Sequence, residues 1–506
     1  MTNPLYDALV APLANRTSAV LTDATGAEMS GAKLHAKALS YAAALTSLGL
    51  KPGDRLAVQI DKSPQALALY CGALAAGVVF LPLNTAYTAA EVEYFVSNAG
   101  AALLVGAPDK QEALQEVAER NAARFETLDA LGEGSLTEIA RLSGPSFTPV
   151  ARTGDDLAAI LYTSGTTGRS KGAMLTQDNL LSNCDVLVKE WRFTDQDVLL
   201  HMLPIFHTHG LFVASHVVLR AGGRMIFLPG FKAEQALAYL PQATTMMGVP
   251  TFYTRLLDEP SFTRDLVGHI RLFTSGSAPL LVETHEQFEA RTGHRILERY
   301  GMTETNMNTS NPYDGERRAG TVGFALPGVE VKITDPNTGE EMPQGEPGMI
   351  EVRGPNVFKG YWEMPEKTRE ELRENGFFIT GDIGEISADG YISIVGRQKD
   401  LIITGGYNVY PKEIELVLDE QAGVLESAVI GLPHPDFGEA VVGVLVPRAG
   451  ATLDLAAMKA AMATSLAKFK QPKTLIEVKE LPRNTMGKVQ KNLLRKEFEA
   501  MFKTPA

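Results

Sequence analysis

The stretch LYTSGTTGRSKG, Leu161 to Gly172, packs small, hydroxylic and cationic residues into one short run. Glycines let a backbone take positive φ and approach a ligand closely, and successive N–H groups in such a loop form a nest for an anion. Ser164, Thr166 and Thr167 add hydroxyl donors around Gly165 and Gly168, and Lys171 adds a charge. Together they suit a polyphosphate better than a generic surface turn. The spacing departs from the GxxxxGK[ST] loop of P-loop NTPases, so a different kind of phosphate cradle is expected.

A loop of this kind must be held by rigid elements on both sides. GAKLHAKALSYAAALTSLGL (31–50) reads as an amphipathic helix closing at Gly49, RLAVQI (55–60) as a buried strand, and SPQALALYCGALAAG as helix again. Strand-like runs recur at AALLVGA (101–107), RMIFLPG (224–230), TTMMGVP (244–250) and RLFTSGS (271–277). This alternation predicts an α/β fold with mostly parallel sheets. From about residue 320, alternating runs broken by Gly and Pro predict an antiparallel sheet or small barrel. Beyond GRQKD (396–400) the texture changes again, to a compact mix of helices and strands. The expected organisation is a large N-terminal domain, 1–397, with a barrel-like subdomain, followed by a small α+β domain, 398–506.

Composition narrows the function classes. A net charge of −13 over 506 residues argues against a global nucleic-acid footprint. Locally, Lys468 to Lys503 carries eight Lys and two Arg against four Glu, a basic face suited to a phosphate-rich partner or simply to solvent. Cys71 and Cys184 lie far apart without metal-ligand spacing, which fits a reducing, cytoplasmic setting. The apolar run 66–83 is long enough to raise the question of a membrane span. Gly77 followed by VVFLPL instead predicts a helix end and a strand start. The opening MTNPLYDALVAPL lacks the pattern of an export signal, and the terminal TPA is not a peroxisomal address.

The loop YTSGTTGRSKG resembles the phosphate loop of the acyl-adenylate-forming superfamily. Further matching segments follow in order: LPIFHTHG (203–210), RYGMTET (299–305), TGD (380–382), GRQKD (396–400), GGYNVYP (405–411) and PRNTMGKVQK (482–491). Within that superfamily, HTHGLFVASH and ERYGMTETNMNTSNPYDG look most like the malonyl-CoA synthetases. The resemblance implies ATP, magnesium and CoA, and a carboxylic acid activated as its adenylate. Both the adenylation and the thiol transfer move negative charge onto phosphate oxygens, so cations and positioned donors should dominate catalysis.

Residue roles follow from the same resemblance. Thr163, Ser164, Gly165, Thr166, Thr167, Gly168 and Lys171 would cradle ATP, with Ser277, Tyr300, Gly301, Thr303, Asp382 and Arg397 completing the nucleotide site. Glu304 would carry magnesium, Asp382 would accept the ribose hydroxyls, and Thr303 would contact phosphate. Lys488 would reach the carboxylate and α-phosphate, and it is a candidate for acetylation. Lys399 falls at the hinge about which the small domain would turn. Gly405, Gly406 and Tyr407 would then line a pantetheine channel.

The superfamily places the residue before Tyr300 against the acyl group. Here it is Arg299. A buried arginine without a partner is costly, so its presence predicts an anion. The resemblance supplies one, the second carboxylate of malonate, with His207 as a further donor or gate and His209 as a weaker candidate. Met302 would form apolar wall able to admit the methyl of methylmalonate. The bland alternative is Arg299 paired with Glu298 or another carboxylate, and His207 as a structural histidine. Two further readings stay open: a ligase for another short or aromatic acid, and a luciferase-like oxidoreductase.

Overall fold

The computed structural model describes residues 2–163, 170–336, 338–404, 407–434, 437–484 and 487–502, and only the backbone of 407, 408, 464 and 465. By packing, the chain forms two compact units. The first comprises Met1–Ala319, Gly323–Glu330 and Val352–Phe378, and the second Gly320–Val322, Val331–Glu351 and Ile379–Ala506.

The first unit is built on two sheets. In the six-stranded one the order is Arg124–Thr127, Leu103–Gly106, Arg55–Gln59, Val79–Pro82, Leu157–Thr163 and Lys171–Thr176. The first five run parallel, and Lys171–Thr176 returns antiparallel to its neighbour. The two strands that flank the phosphate-loop sequence therefore pair antiparallel, with Thr163 opposite Lys171.

The nine-stranded sheet has a parallel centre: Leu297–Met302, Leu272–Ser275, Thr245–Gly248, Val198–His201, Arg224–Phe227 and Ala19–Thr22. Asn306–Ser310, Phe324–Ala325 and Glu28–Ser30 add antiparallel edges. In open α/β sheets, ligands bind outside the carboxyl ends of the strands. Those ends here carry His201, Ser275 and Met302. Rings of Tyr253, Phe262, Phe273 and Phe288 fill the layer behind them and fix the strands.

Local signals explain the helices. Pro64–Ala76 starts at Ser63, whose side chain accepts from the Ala66 N–H, and stops at Gly77 in the left-handed region, φ 68°. The strand Val79–Pro82 follows at once, so the apolar run 66–83 is divided between helix and strand as expected. Among the described residues no helix is long and apolar enough to cross a membrane.

In the second unit, the stretch past residue 320 supplies a four-stranded sheet ordered Glu330–Thr334, Gly348–Arg353, Phe378–Ile386 and Ile392–Arg397. Farther on, Val424–His434 and Gly438–Pro447 form a long hairpin, joined by Ile402–Thr404, Tyr407–Val409 and Thr474–Glu477. The helices Pro411–Asp419 and Leu455–Ser465 cover one face through Ile414, Leu418, Met458 and Met462.

Candidate active site

The strand pair that flanks the phosphate-loop sequence ends on a buried polar cluster. Nζ of Lys171 donates to both carboxylate oxygens of Glu371 at 3.0 Å and to Oη of Tyr361 at 3.1 Å. It also lies 4.1 Å from the centre of the Tyr361 ring. The single hydroxyl hydrogen of Tyr361 has two carboxylates within reach, Glu371 at 2.6 Å and Glu304 at 3.0 Å. Glu304 also accepts, more distantly, from Thr163 Oγ1 at 3.5 Å.

The two acids differ electrostatically. Burial raises the Glu304 pKa above the usual carboxylate range, against the opposing pull of Lys171 and the Tyr361 hydroxyl. At Glu371 burial acts the same way but is outweighed by bonds from Tyr361, Lys367 and Lys171, so its pKa falls. Glu304 is thus a buried carboxylate short of positive charge. Among the described residues no three His, Cys, Asp or Glu gather into a metal cage. A lone carboxylate flanked by hydroxyls fits a hard cation whose remaining ligands are phosphate oxygens and water.

The second cluster lies at the ends of Leu272–Ser275 and Leu297–Met302. Arg299 is only 3 % exposed, and its Nε and Nη2 have no hydrogen-bond partner among the described residues. Its guanidinium occupies the space over Gly276, where a Cβ would meet Nη1 at 2.2 Å. Burial pushes its pKa down to about 9, with only Tyr253 acting in the opposite direction. Glu298, the neighbour that could have neutralised it, turns to His285, 3.3 Å away.

Beside Gly276, Ser277 is held at φ 70°, a conformation that side-chain-bearing residues seldom take. Its Oγ bonds Nδ1 of His209 at 3.1 Å. His209 is fully buried, and its Nε2 has no hydrogen-bond partner among the described residues. Burial first, then Arg299 and His207, hold it well below the usual histidine pKa, so it stays neutral beside the guanidinium. His207 is half-buried, and its Nδ1 accepts from the His209 N–H at 3.3 Å. Between the two histidines, Thr208 donates to Oδ1 of Asn306 at 2.7 Å. Asn306 closes the turn that carries Thr303 and Glu304, at φ 50°. Gly301 is forced by that turn, since a Cβ there would lie 1.8 Å from the Asn306 carbonyl. Tyr300, Met302 and Thr303 are half-buried on the same strand and turn.

In the second unit, Asp382 and Arg397 face one another across adjacent strands and pair at 2.8 Å. Lys399 follows in the single turn Gln398–Asp400, and Asp400 bonds Arg495 at 2.7 Å. Lys488 lies within electrostatic range of this group. Its pKa is lowered to about 8 by burial first, then by Arg397, with Asp382 opposing.

Ser164, Gly165, Thr166, Thr167 and Gly168, together with Gly405, Gly406 and the Tyr407 side chain, lie outside the described residues. Sequence reasoning did not single out Tyr361 or Glu371. Tyr361 sits in KGYW and Glu371 in the charged helix PEKTREE, and neither segment carries a pattern that sets it apart from surface.

Known proteins resemble this chain in sequence and fold. Residues 11–362 match the AMP-binding enzyme family, and residues 413–488 match the C-terminal domain of AMP-binding enzymes. A malonate–CoA ligase of Arabidopsis thaliana is 35% identical, covering 89% of this chain and 79% of its own length. The mitochondrial malonate–CoA ligase of Mus musculus is 37% identical over 83% of this chain and 78% of its own. The crystal structure of ATP-bound MatB from Rhodopseudomonas palustris is 56% identical, with a TM-score of 0.97 over 99% of this chain and 100% of that one. Matched in both of its parts, and sharing one fold with a solved relative along almost its whole length, this protein belongs to the AMP-binding enzyme family.

Proposed function

We propose that the protein is an ATP-dependent ligase that joins malonate to CoA. A carboxylate oxygen of malonate attacks the α-phosphorus of ATP and diphosphate leaves. The CoA thiol, losing its proton, then attacks the acyl carbon and AMP leaves. The observation that carries the choice of acid is Arg299: a buried guanidinium with two unpartnered nitrogens and no carboxylate within bonding distance among the described residues. A site so built favours a substrate that brings its own anion. The names of the two curated relatives agree with it.

In this reading Arg299 clamps the distal carboxylate through two N–H groups, and His209 and Ser277 contribute further contacts, with His207 at the rim. Met302 leaves room for a methyl branch, so methylmalonate is a second substrate. Lys171, the hydroxyls beside it and Thr303 hold the phosphates, Tyr300 lies against the adenine, and Asp382 with Arg397 receives the ribose. Magnesium, held by Glu304 and phosphate oxygens, would neutralise charge on the departing diphosphate. Lys488 stabilises negative charge on the α-phosphate, and acetylation there removes that charge and stops adenylation. Lys399 is the hinge between the adenylating and thiol-transferring arrangements, dividing 1–397 from 398–506, with Gly405, Gly406 and Tyr407 along the pantetheine path. Two buried, unpaired thiols suit a cytoplasmic setting.

The test is thioester formation by purified protein with ATP, magnesium and CoA, across malonate, methylmalonate, succinate, acetate, octanoate and benzoate. Malonate should lead acetate by roughly 10²-fold or more, because an acid without the distal carboxylate leaves Arg299 unpaired. Preference for acetate or benzoate would refute the role given to Arg299 while leaving the adenylating machinery in place.

A further inference from the structure

Lys62 is a buried lysine that the chemistry above does not use. It is 8 % exposed, and among the described residues it makes no ion pair. Lysine is seldom buried without a partner, because losing water disfavours its charged form. It lies just beyond the strand Arg55–Gln59, next to Ser63, the cap of the helix Pro64–Ala76. From there its Nζ donates to Nδ1 and to the carbonyl of His201, each at 2.8 Å, and lies 4.3 Å from the centre of the Phe227 ring. His201 ends a strand of the other sheet, so these bonds tie the two sheets of the first unit together.

The far side of His201 fixes its tautomer. Nε2 faces the Gly210 carbonyl at 2.9 Å and Ser215 Oγ at 3.1 Å. A carbonyl can only accept, so Nε2 carries the hydrogen. In a neutral ring Nδ1 is then the acceptor, and Lys62 supplies the N–H that it receives. Burial, then Lys62 itself, keeps the ring neutral. Ser215 Oγ also donates to the Gly210 carbonyl at 2.9 Å. That carbonyl belongs to the first turn of a wide, π-type helix, His209–Ser215, a form concentrated at functional sites. Gly210 packs closely on the preceding turn, since a Cβ there would lie 2.0 Å from the Pro204 carbonyl oxygen. His209, which faces Ser277 and Arg299, begins the same turn.

We propose that Lys62 and His201 are positioning residues of the acid pocket: Lys62 anchors Nδ1 and the backbone of His201, whose Nε2–H holds the Gly210 carbonyl and so aims His209 at the substrate's anionic end. The inference rests on the reading of Arg299 and His209 as the anion site. Its consequence is selectivity. Loosening the relay weakens recognition of the acid without touching the nucleotide site.

The experiment compares Lys62→Met, His201→Asn and His201→Gln with wild type, measuring KM for malonate and for ATP separately, the malonate-to-acetate ratio, and Tm. Asn at 201 retains an acceptor near the Nδ1 position but loses the donor to Gly210, whereas Gln can keep an N–H near the Nε2 position. Lys62→Met and His201→Asn should raise the malonate KM on the order of 10-fold, with the ATP KM within about 2-fold and the selectivity ratio reduced. His201→Gln should stay within about 3-fold of wild type on both. Unchanged KM values with a lowered Tm, or equal rises for malonate and ATP, would overturn the proposal and leave the relay purely structural. If Lys62→Met does not fold, equal malonate KM values for His201→Asn and His201→Gln would overturn it. Wild type alone tests the choice of acid. Should it prefer another acid, the relay is judged on the KM for that acid against the KM for ATP.

Discussion

The guanidinium of Arg299 lies in the space that a side chain on residue 276 would need: a methyl carbon built on Gly276 falls 2.2 Å from Nη1 and 2.4 Å from Cζ. Glycine at 276 is therefore a condition for the arginine. The backbone there does not require glycine for its conformation, so alanine changes only the space. Gly276→Ala should displace the guanidinium and lower kcat/KM for malonate roughly 10²-fold, with a much smaller effect on acetate. Steady-state kinetics on both acids checks this, and a uniform loss on both would place the damage in the nucleotide site instead.

The same burial predicts a conflict between function and stability. A guanidinium with two nitrogens unpartnered among the described residues is a cost to the fold in the absence of substrate. Arg299→Met keeps most of the volume and removes the charge, and should stabilise the substrate-free protein by about 1–3 kcal/mol while abolishing malonate activation. Thermal unfolding with and without malonate reads both effects. Malonate should raise Tm for wild type and leave the variant unmoved. A less stable variant would show that Arg299 supports the fold through contacts to the protein.

Much of this was legible in the sequence, and the boundary has a physical basis. Alternating helical and strand periodicity located the parallel strands 55–60, 101–107, 224–230, 244–250 and 271–277, all found as strands within those spans. Arg299 could be singled out because the family resemblance puts its position against the acyl group, where an unpaired buried cation calls for an anion. Tyr361, Glu371, Lys62 and His201 could not, because the contact that gives each its place spans the chain: Lys171 to Tyr361 spans 190 positions, Lys171 to Glu371 200 and Lys62 to His201 139. Such contacts depend on how the sheets pack, which local pattern does not encode. His209 ranked below His207 from sequence. Ser277, whose positive φ turns its hydroxyl to His209, is what gives it a place beside Arg299.

Tyr361 allows a separate test of the nucleotide side. Its hydroxyl serves Glu304 and Glu371 and accepts from Lys171, so one atom links three charged groups. Hydrogen bonds to charged groups are worth about 1.5–3 kcal/mol, which is roughly 10- to 100-fold in kcat/KM. Tyr361→Phe should lose activity of that order with ATP and magnesium varied, while the KM for malonate stays near wild type. Titrating magnesium separately locates the defect, since Glu304 without the hydroxyl should need more of it. A change confined to malonate would contradict the assignment of this cluster to phosphate and metal.

Lys488 makes the reaction pH-dependent on its alkaline side. Its pKa is lowered to about 8 by burial, then by Arg397 and Lys399, while Asp382 and Asp400 pull the other way. The ammonium is needed in its charged form, so activity is full below about 8 and is lost as pH rises through it. A bound polyphosphate favours the charged lysine, so the limb in kcat should lie at higher pH than the limb in kcat/KM, which reports the free enzyme. Diphosphate exchange into ATP measures adenylation alone and should show this fall, about tenfold per pH unit. Lys488→Ala should lower that exchange on the order of 10³-fold, the equivalent of about 4 kcal/mol for a cation near a charge at moderate dielectric. Lys488→Arg keeps its charge at every accessible pH, so whatever activity it retains should no longer fall through this range. A limb at the same pH in the arginine variant would assign the titration to another group.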